Sequence, residues 1–309
     1  MSLPSKLRIG VRSGRLAAAL AHEVQQSLEQ AHPAMEVEIV KIGAGGDHVH
    51  DGAARPSGFT QELDKALAAG KVDAALHDLP DVPLVRPDTV ALVAVPRRRH
   101  PFDVLLTKDG RILDELEEGD RVGASTAGRR AQMLAYREDL KAVSVRGNLD
   151  THLQQLEAGE FEGLVMAATD AERLGWYDRV SEIFTTEVCI PTPGQGALAL
   201  EALAERKDVF QALKCLDDPD SHRAVVAERA WLRELGEHED LPAGALANVQ
   251  EGQIVMEAVV VSGDGLEIVR DEAEGPASSA EALGAKLAVR MLERGAQEIV
   301  EAVFGEESE

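Results

Sequence analysis

The chain has 309 residues, 44% of them hydrophobic and 28% charged, the profile of a soluble globular protein large enough for two or three cores. Its formal net charge of -23 argues against nucleic acid and anionic membrane surfaces as partners. Two cysteines, Cys189 and Cys215, supply neither a disulfide framework nor a metal knuckle, and no apolar run approaches the ~18 to 20 residues that span a bilayer. The opening MSLPSKLRIG lacks the apolar stretch of a signal peptide, so a reducing cytoplasm is the expected setting.

With only 3% aromatics, the cores must be built from Ala, Val, Leu and Ile, a palette that suits helix-covered parallel sheets. In chain order, LRIGV (7–11) reads as a strand, and Leu16, Leu20, Val24 and Leu28 stripe the helix after it. VEIVKI (37–42) is the next strand. The glycine-rich 43–58 reads as a loop, Phe59, Leu63 and Leu67 mark a second helix, and VDAALHDL (72–79) is a strand stopped by PDVP. This alternation predicts right-handed crossovers and a parallel sheet.

The pattern restarts near residue 103. DVLLT, RVGAS, AVSV and GLVMA are strand candidates, interleaved with helices near 128–138 and 149–158. In the last third, a helix (about 221–235) precedes the alternating strand QIVMEAVVV (253–261), and SGDG turns into LEIVRDE as a hairpin. Ser278 and Glu281 form an expected capping box before a helix striped by Leu283, Leu287 and Met291. The fold class is therefore α/β, two doubly wound domains plus a smaller α+β domain. The boundaries are 1–98 with 193–215, 99–192, and 216–309. Ligands of doubly wound sheets bind beyond the carboxyl ends of the strands, so strand-end side chains are the first candidates.

Asp81 stands between two prolines just after a buried strand, where a stiff backbone gives its carboxylate a fixed direction. The alternative is a turn aspartate that bonds its own backbone. Arg12, Arg129, Arg130 and Arg146 each follow a strand. Several converging in so acidic a chain point to a carboxylate or phosphate ligand. GASTAGRR reads as a helix N-terminus carrying hydroxyls, a natural anion site. PTPGQG (191–196) is a tight turn in which Gln195 is either a surface residue or a ligand contact. His48 and His50 lie between Asp47 and Asp51, but no third compact ligand accompanies them, so no metal is expected.

LRIGVRSGRLA, GFTQELDKAL, DAALHDLPDVP, VGAST, VRGN, ERLG, PTPGQGALALE and AERA, in this order, resemble the porphobilinogen deaminase (hydroxymethylbilane synthase) family. The resemblance implies two domains like periplasmic binding proteins, with an active-site cleft between them, and a third α+β domain. It implies the head-to-tail condensation of four porphobilinogens with loss of ammonia. That chain grows on a dipyrromethane cofactor held by a thioether to a cysteine of the third domain. Asp81 matches the family's catalytic aspartate in H-x-x-x-D-V-P. Arg12, Ser13, Ser125, Arg129, Arg130, Arg146, Arg173 and Gln195 match binding positions or their neighbours. A small anionic pyrrole or carboxylate is the implied ligand, and a monomer is expected.

The sequence also departs from the family pattern. Counting without a gap from Ala227-Glu228-Arg229-Ala230 places Glu239 where the cofactor cysteine belongs, and a glutamate forms no thioether. Pro80 replaces the usual lysine before Asp81, and His152 replaces an arginine. Gly128 takes the place of one arginine of a pair, although a one-residue slip puts both at Arg129 and Arg130. Each arginine–carboxylate bond is worth about 1.5 to 3 kcal/mol, so losing several weakens a polycarboxylate chain by orders of magnitude. A covalently bound dipyrromethane is therefore not expected. Two readings stay open, a deaminase whose primer is unattached or attached elsewhere, and a non-catalytic relative that binds a small carboxylate ligand.

Overall fold

The computed structural model describes residues 3–43, 57–238 and 240–305. In chain order the elements are β1 (Lys6–Arg12), α1 (Arg15–Ala31), β2 (Glu36–Ile42), α2 (Ser57–Ala68), β3 (Ala74–Asp78) and β4 (Val90–Ala94). There follow β5 (Asp103–Thr107), β6 (Arg121–Ala124), α3 (Ala127–Tyr136), β7 (Lys141–Ser144), α4 (Leu149–Ala158), β8 (Gly163–Ala167), α5 (Ala168–Arg173) and β9 (Val180–Ile183). The last group is β10 (Leu198–Leu203), α6 (Lys207–Leu213), α7 (Pro219–Leu235), β11 (Ala243–Gln250), β12 (Gln253–Val261), β13 (Ile268–Pro276), α8 (Ala280–Met291) and α9 (Gln297–Gly305). Two compact units result: the described parts of 1–47, 54–99 and 196–222, and those of 100–195 and 223–309.

The first unit holds one five-stranded sheet in the order β2-β1-β3-β10-β4. β1 runs parallel to β2 and β3, whereas β10 is antiparallel to both β3 and β4. The α1 stripe is realised: Leu20, Val24 and Leu28 are buried against Leu7, Ile9, Leu76 and Leu200. Leu63 and Leu67 of α2 pack on Val72 and Ala75.

The second unit repeats that sheet pattern as β7-β6-β8-β5-β9. Here β6 is parallel to β7 and β8, and β5 is antiparallel to β8 and β9. The unit also contains the antiparallel sheet β11-β12-β13, covered by a core in which Trp231 of α7 meets Leu287 and Met291 of α8. The architecture is thus α/β with a smaller α+β portion at the C-terminal end.

Two expectations need correction. The sheets are mixed rather than parallel, because β4, β9 and β10 join them and β5 runs antiparallel to its neighbours. A buried strand is apolar on both faces whichever way it runs, so composition does not give its direction. The capping box of Ser278 and Glu281 does not form. Ala277–Ser279 makes a 3-10 turn, Ser279 takes the N-cap position without a side-chain bond, and Glu281 accepts from Arg233 Nη1 at 3.1 Å.

Candidate active site

In the first unit the chain leaves β3 through a single 3-10 turn, Leu79–Asp81, with Pro80 in its first positions. The turn is pinned where Leu79 N–H donates to the Ala197 carbonyl, just ahead of β10. This backbone carries the Asp81 carboxylate to the carboxyl end of β1, where Arg12 Nη1 donates to Oδ2 at 3.4 Å. Among the described residues, Asp81 therefore bonds an arginine and not its own backbone. Its side chain is 28% exposed, yet the carboxyl lies deep enough among protein atoms that desolvation dominates. Burial raises its pKa above the ordinary 3.8, with the positive fields of Arg12 and His77 offsetting only part of the effect. Ser13, also at the end of β1, donates from Oγ to the Gly43 carbonyl at 3.2 Å.

Behind Asp81 lies a buried charge network that the sequence reading missed. Glu201 of β10 is 1% exposed and receives Arg86 Nε at 2.9 Å and Nη2 at 2.8 Å. Arg86 also grips Asp64 of α2 through Nη1 at 3.0 Å and Nη2 at 2.6 Å. His77 Nε2 lies 3.4 Å from Glu201 Oε2. Burial pushes the Glu201 pKa up, but the contacts from His77 and Arg86 win and hold it below 4.5. A glutamate inside the apolar run ALALEAL was the available signal, because a charge there must be paired.

In the second unit, Asp103 opens β5 opposite Ala167, at the carboxyl end of the parallel strands β6 and β8. It is fully buried and organises three residues singled out from sequence. Arg129 of α3 donates to Asp103 Oδ1 from Nε at 3.0 Å, to Gln195 Oε1 from Nη2 at 2.9 Å, and to Ser125 Oγ from Nη1 at 3.2 Å. Gln195 Nε2 in turn donates to Asp103 Oδ1 at 2.9 Å and to the Pro101 carbonyl at 2.7 Å. Cys189 Sγ sits 3.5 Å from Asp103 Oδ2, and its thiol pKa is pushed well up, first by burial and then by that carboxylate. Arg129, Gln195 and Ser125 thus meet in one place, with Arg129 neutralised by a buried partner.

The turn that bears Gln195 is held by Glu228, a fully buried residue of α7. Its carboxylate accepts the Gly194 N–H at 2.6 Å and the Ala247 N–H at 2.8 Å. AERA in the sequence therefore serves to fix PTPGQG.

Arg130 and Arg146 occupy a different setting. Thr126 caps α3 by accepting the Arg129 N–H, and Arg130 Nη1 reaches the Ala124 carbonyl at 3.2 Å. Arg146 is exposed, carried past β7 to Gly147, whose φ of 115° suits a residue without Cβ, and Asn148, which caps α4. Burial lowers the Arg130 pKa; Asp240 opposes this and the like charge of Arg146 adds to it. Neither arginine forms an ion pair with a carboxylate among the described residues. His152 is buried in α4, and Arg173 of α5 is buried with Nη1 3.9 Å from Asp170. Glu239 and residues 47–51 lie outside the described residues. Among the described residues no cluster of His, Cys, Asp and Glu suits a metal, and no helix is long and apolar enough to cross a membrane.

Two family profiles match the chain. Residues 7–211 match "Porphobilinogen deaminase, dipyromethane cofactor binding domain", and residues 222–293 match "Porphobilinogen deaminase, C-terminal domain". The porphobilinogen deaminase of Desulforudis audaxviator is 40% identical over 296 residues, covering 94% of this chain and 96% of its own. That of Syntrophotalea carbinolica is 39% identical over 303 residues, covering 97% and 96%. Among solved structures, the methionine-binding protein MetQ aligns with a TM-score of 0.45 at 16% identity, over 74% of this chain and 94% of its own.

Proposed function

This chain belongs to the porphobilinogen deaminase family, and from that premise we propose that it condenses porphobilinogen head to tail without a primer held by a thioether at residue 239. The observation that carries the reading is the state of Asp81. A carboxylate on a proline-stiffened turn, facing an arginine yet with a raised pKa, is poised to exchange a proton with a pyrrole nitrogen or its cationic intermediate. Such burial costs stability, and proton transfer is a use for it. Arg12 orients the carboxylate, and within the second unit Arg130 and Arg146 carry positive charge suited to a carboxylate ligand.

The family's dipyrromethane fits this chain only in part. Arg130 and Arg146 suit its carboxylates, but the covalent link has no thiol at position 239. Cys189 is buried and bonded to Asp103, with a thiol pKa raised well above 9.0, a poor nucleophile. Cys215 sits against His32 and the Ala212 carbonyl, and burial raises its pKa too. No step is therefore routed through a protein-bound dipyrromethane. The missing thiol favours a second reading, a non-catalytic relative that binds a pyrrole carboxylate. Porphobilinogen consumption by the purified chain separates the two. Turnover that is lost in Asp81→Asn supports the enzyme. Binding without consumption supports the receptor.

A further inference from the structure

The segment 77–86, which carries Asp81, begins and ends on the same buried carboxylate. On entry, His77 of β3 stands with Nε2 3.4 Å from Glu201 Oε2. Beyond the turn of Leu79–Asp81 the chain comes back to that group, where Arg86 Nε donates to Glu201 Oε1 at 2.9 Å and Nη2 to Oε2 at 2.8 Å. Asp81 therefore sits on a loop whose two feet share one anchor.

Local sequence drives Arg86 inward. Val85 and Pro87 on either side of it are exposed, and the proline confines Arg86 to extended backbone. Glu201 lies on β10, the strand between β3 and β4, paired with Ala75 on one side and Leu92 on the other. From α2, Asp64 accepts Arg86 Nη1 at 3.0 Å and Nη2 at 2.6 Å, and Thr60 Oγ1 accepts Nη1 at 3.4 Å. One guanidinium thus fastens the loop to a strand and a helix together. A lysine ammonium, a compact point charge, does not reproduce two forks. Buried ion triads contribute little net stability against apolar side chains of equal volume; their distinguishing property is direction. The front of the turn is fixed as well, by Leu79 N–H donating to the Ala197 carbonyl at 3.0 Å.

We propose that Arg86 is a positioning residue, which closes the 77–86 loop on Glu201 and Asp64 and so holds the Asp81 carboxyl beside Arg12. This rests on the reading that Asp81 exchanges a proton with the ligand.

The test is steady-state porphobilinogen consumption by the full chain across pH, with two variants assayed well below their own melting temperatures. Arg86→Lys keeps the charge and loses the forks. Arg86→Met combined with Asp64→Asn and Glu201→Gln removes the clamp without stranding a buried charge. Misplacing a reacting group by about 1 Å costs up to about 100-fold, so kcat should fall about tenfold in Arg86→Lys and further in the triple variant. KM should stay within about twofold, because the loss falls on the chemical step. The limb of the kcat profile set by Asp81 should also move toward 3.8 as water reaches the carboxyl, with Arg12 and His77 still its charged neighbours. A smaller folded fraction alone would lower kcat and leave that limb in place. Wild-type turnover with kcat unchanged in the triple variant, or a loss of kcat with the limb unmoved, would overturn this inference alone. Absence of turnover in the wild type would remove the functional reading, and this inference with it.

Discussion

Replacing Asp103 with alanine would leave the Arg129 guanidinium, only 11% exposed, without its carboxylate. The residue accepts from Arg129 Nε at 3.0 Å and from Gln195 Nε2 at 2.9 Å, it lies 2.8 Å from Arg129 Nη2, and Cys189 Sγ is 3.5 Å from its second oxygen. Breaking a buried pair from one side costs about 3 to 5 kcal/mol, because the remaining charge is stranded in a poor solvent. Against a typical domain stability of about 5 to 15 kcal/mol, that loss is about a fifth or more. Urea unfolding followed by far-UV circular dichroism measures it directly. Asp103→Leu with Arg129→Met removes both charges together and should recover most of the loss, since no unpaired ion remains. A single-variant loss below about 1 kcal/mol, or a double variant as damaged as the sum of its parts, would refute the claim that this pair is a coupled buried unit.

Three further outcomes follow from the same geometry. Asp81 has a raised folded pKa, so wild-type stability declines as pH rises from 3.8 through that value; Asp81→Asn should be the more stable protein at pH 7 and converge with wild type below 3.8 in pH-dependent melts. Glu201 is the opposite case: its folded pKa is depressed, so its contribution is present above 4.5 and lost as pH falls through the lower folded value. Glu201→Gln should therefore flatten the acid limb of the unfolding profile. Gly284→Ala would bring a Cβ within 2.0 Å of the Ala227 carbonyl oxygen, where α8 crosses α7, and this overpacking should cost about 1 to 3 kcal/mol in thermal unfolding.

The elements with a strong period were legible in the sequence. α1 and β12 were placed from a stripe and an alternation, and Arg12 and Asp81 were picked out because both end a strand. Strand direction was not legible: β10 and β5 are buried on both faces, and hydrophobicity carries no information about the direction of the chain. Asp103 was missed for a related reason. It looks like the polar first residue of a strand, and only the fold shows that Arg129, Gln195 and Cys189 converge on it from separate segments. Conversely, Arg129 read from sequence as a ligand contact and Gln195 as either a surface residue or a ligand contact, whereas folding gives each a buried partner. Arg130 and Arg146 keep the exposed or half-buried positions that a ligand contact needs.

The decisive property of this chain is whether it works without a covalently held primer. The most direct measurement is the denaturing intact mass of the purified protein before and after incubation with porphobilinogen, with linear tetrapyrrole assayed in the same samples. We expect the mass to stay at the 33.1 kDa of the sequence in both samples while tetrapyrrole accumulates. A mass that rises in steps of one pyrrole unit would contradict the account by revealing a covalent anchor, and an unchanged mass with no product would contradict the proposed activity.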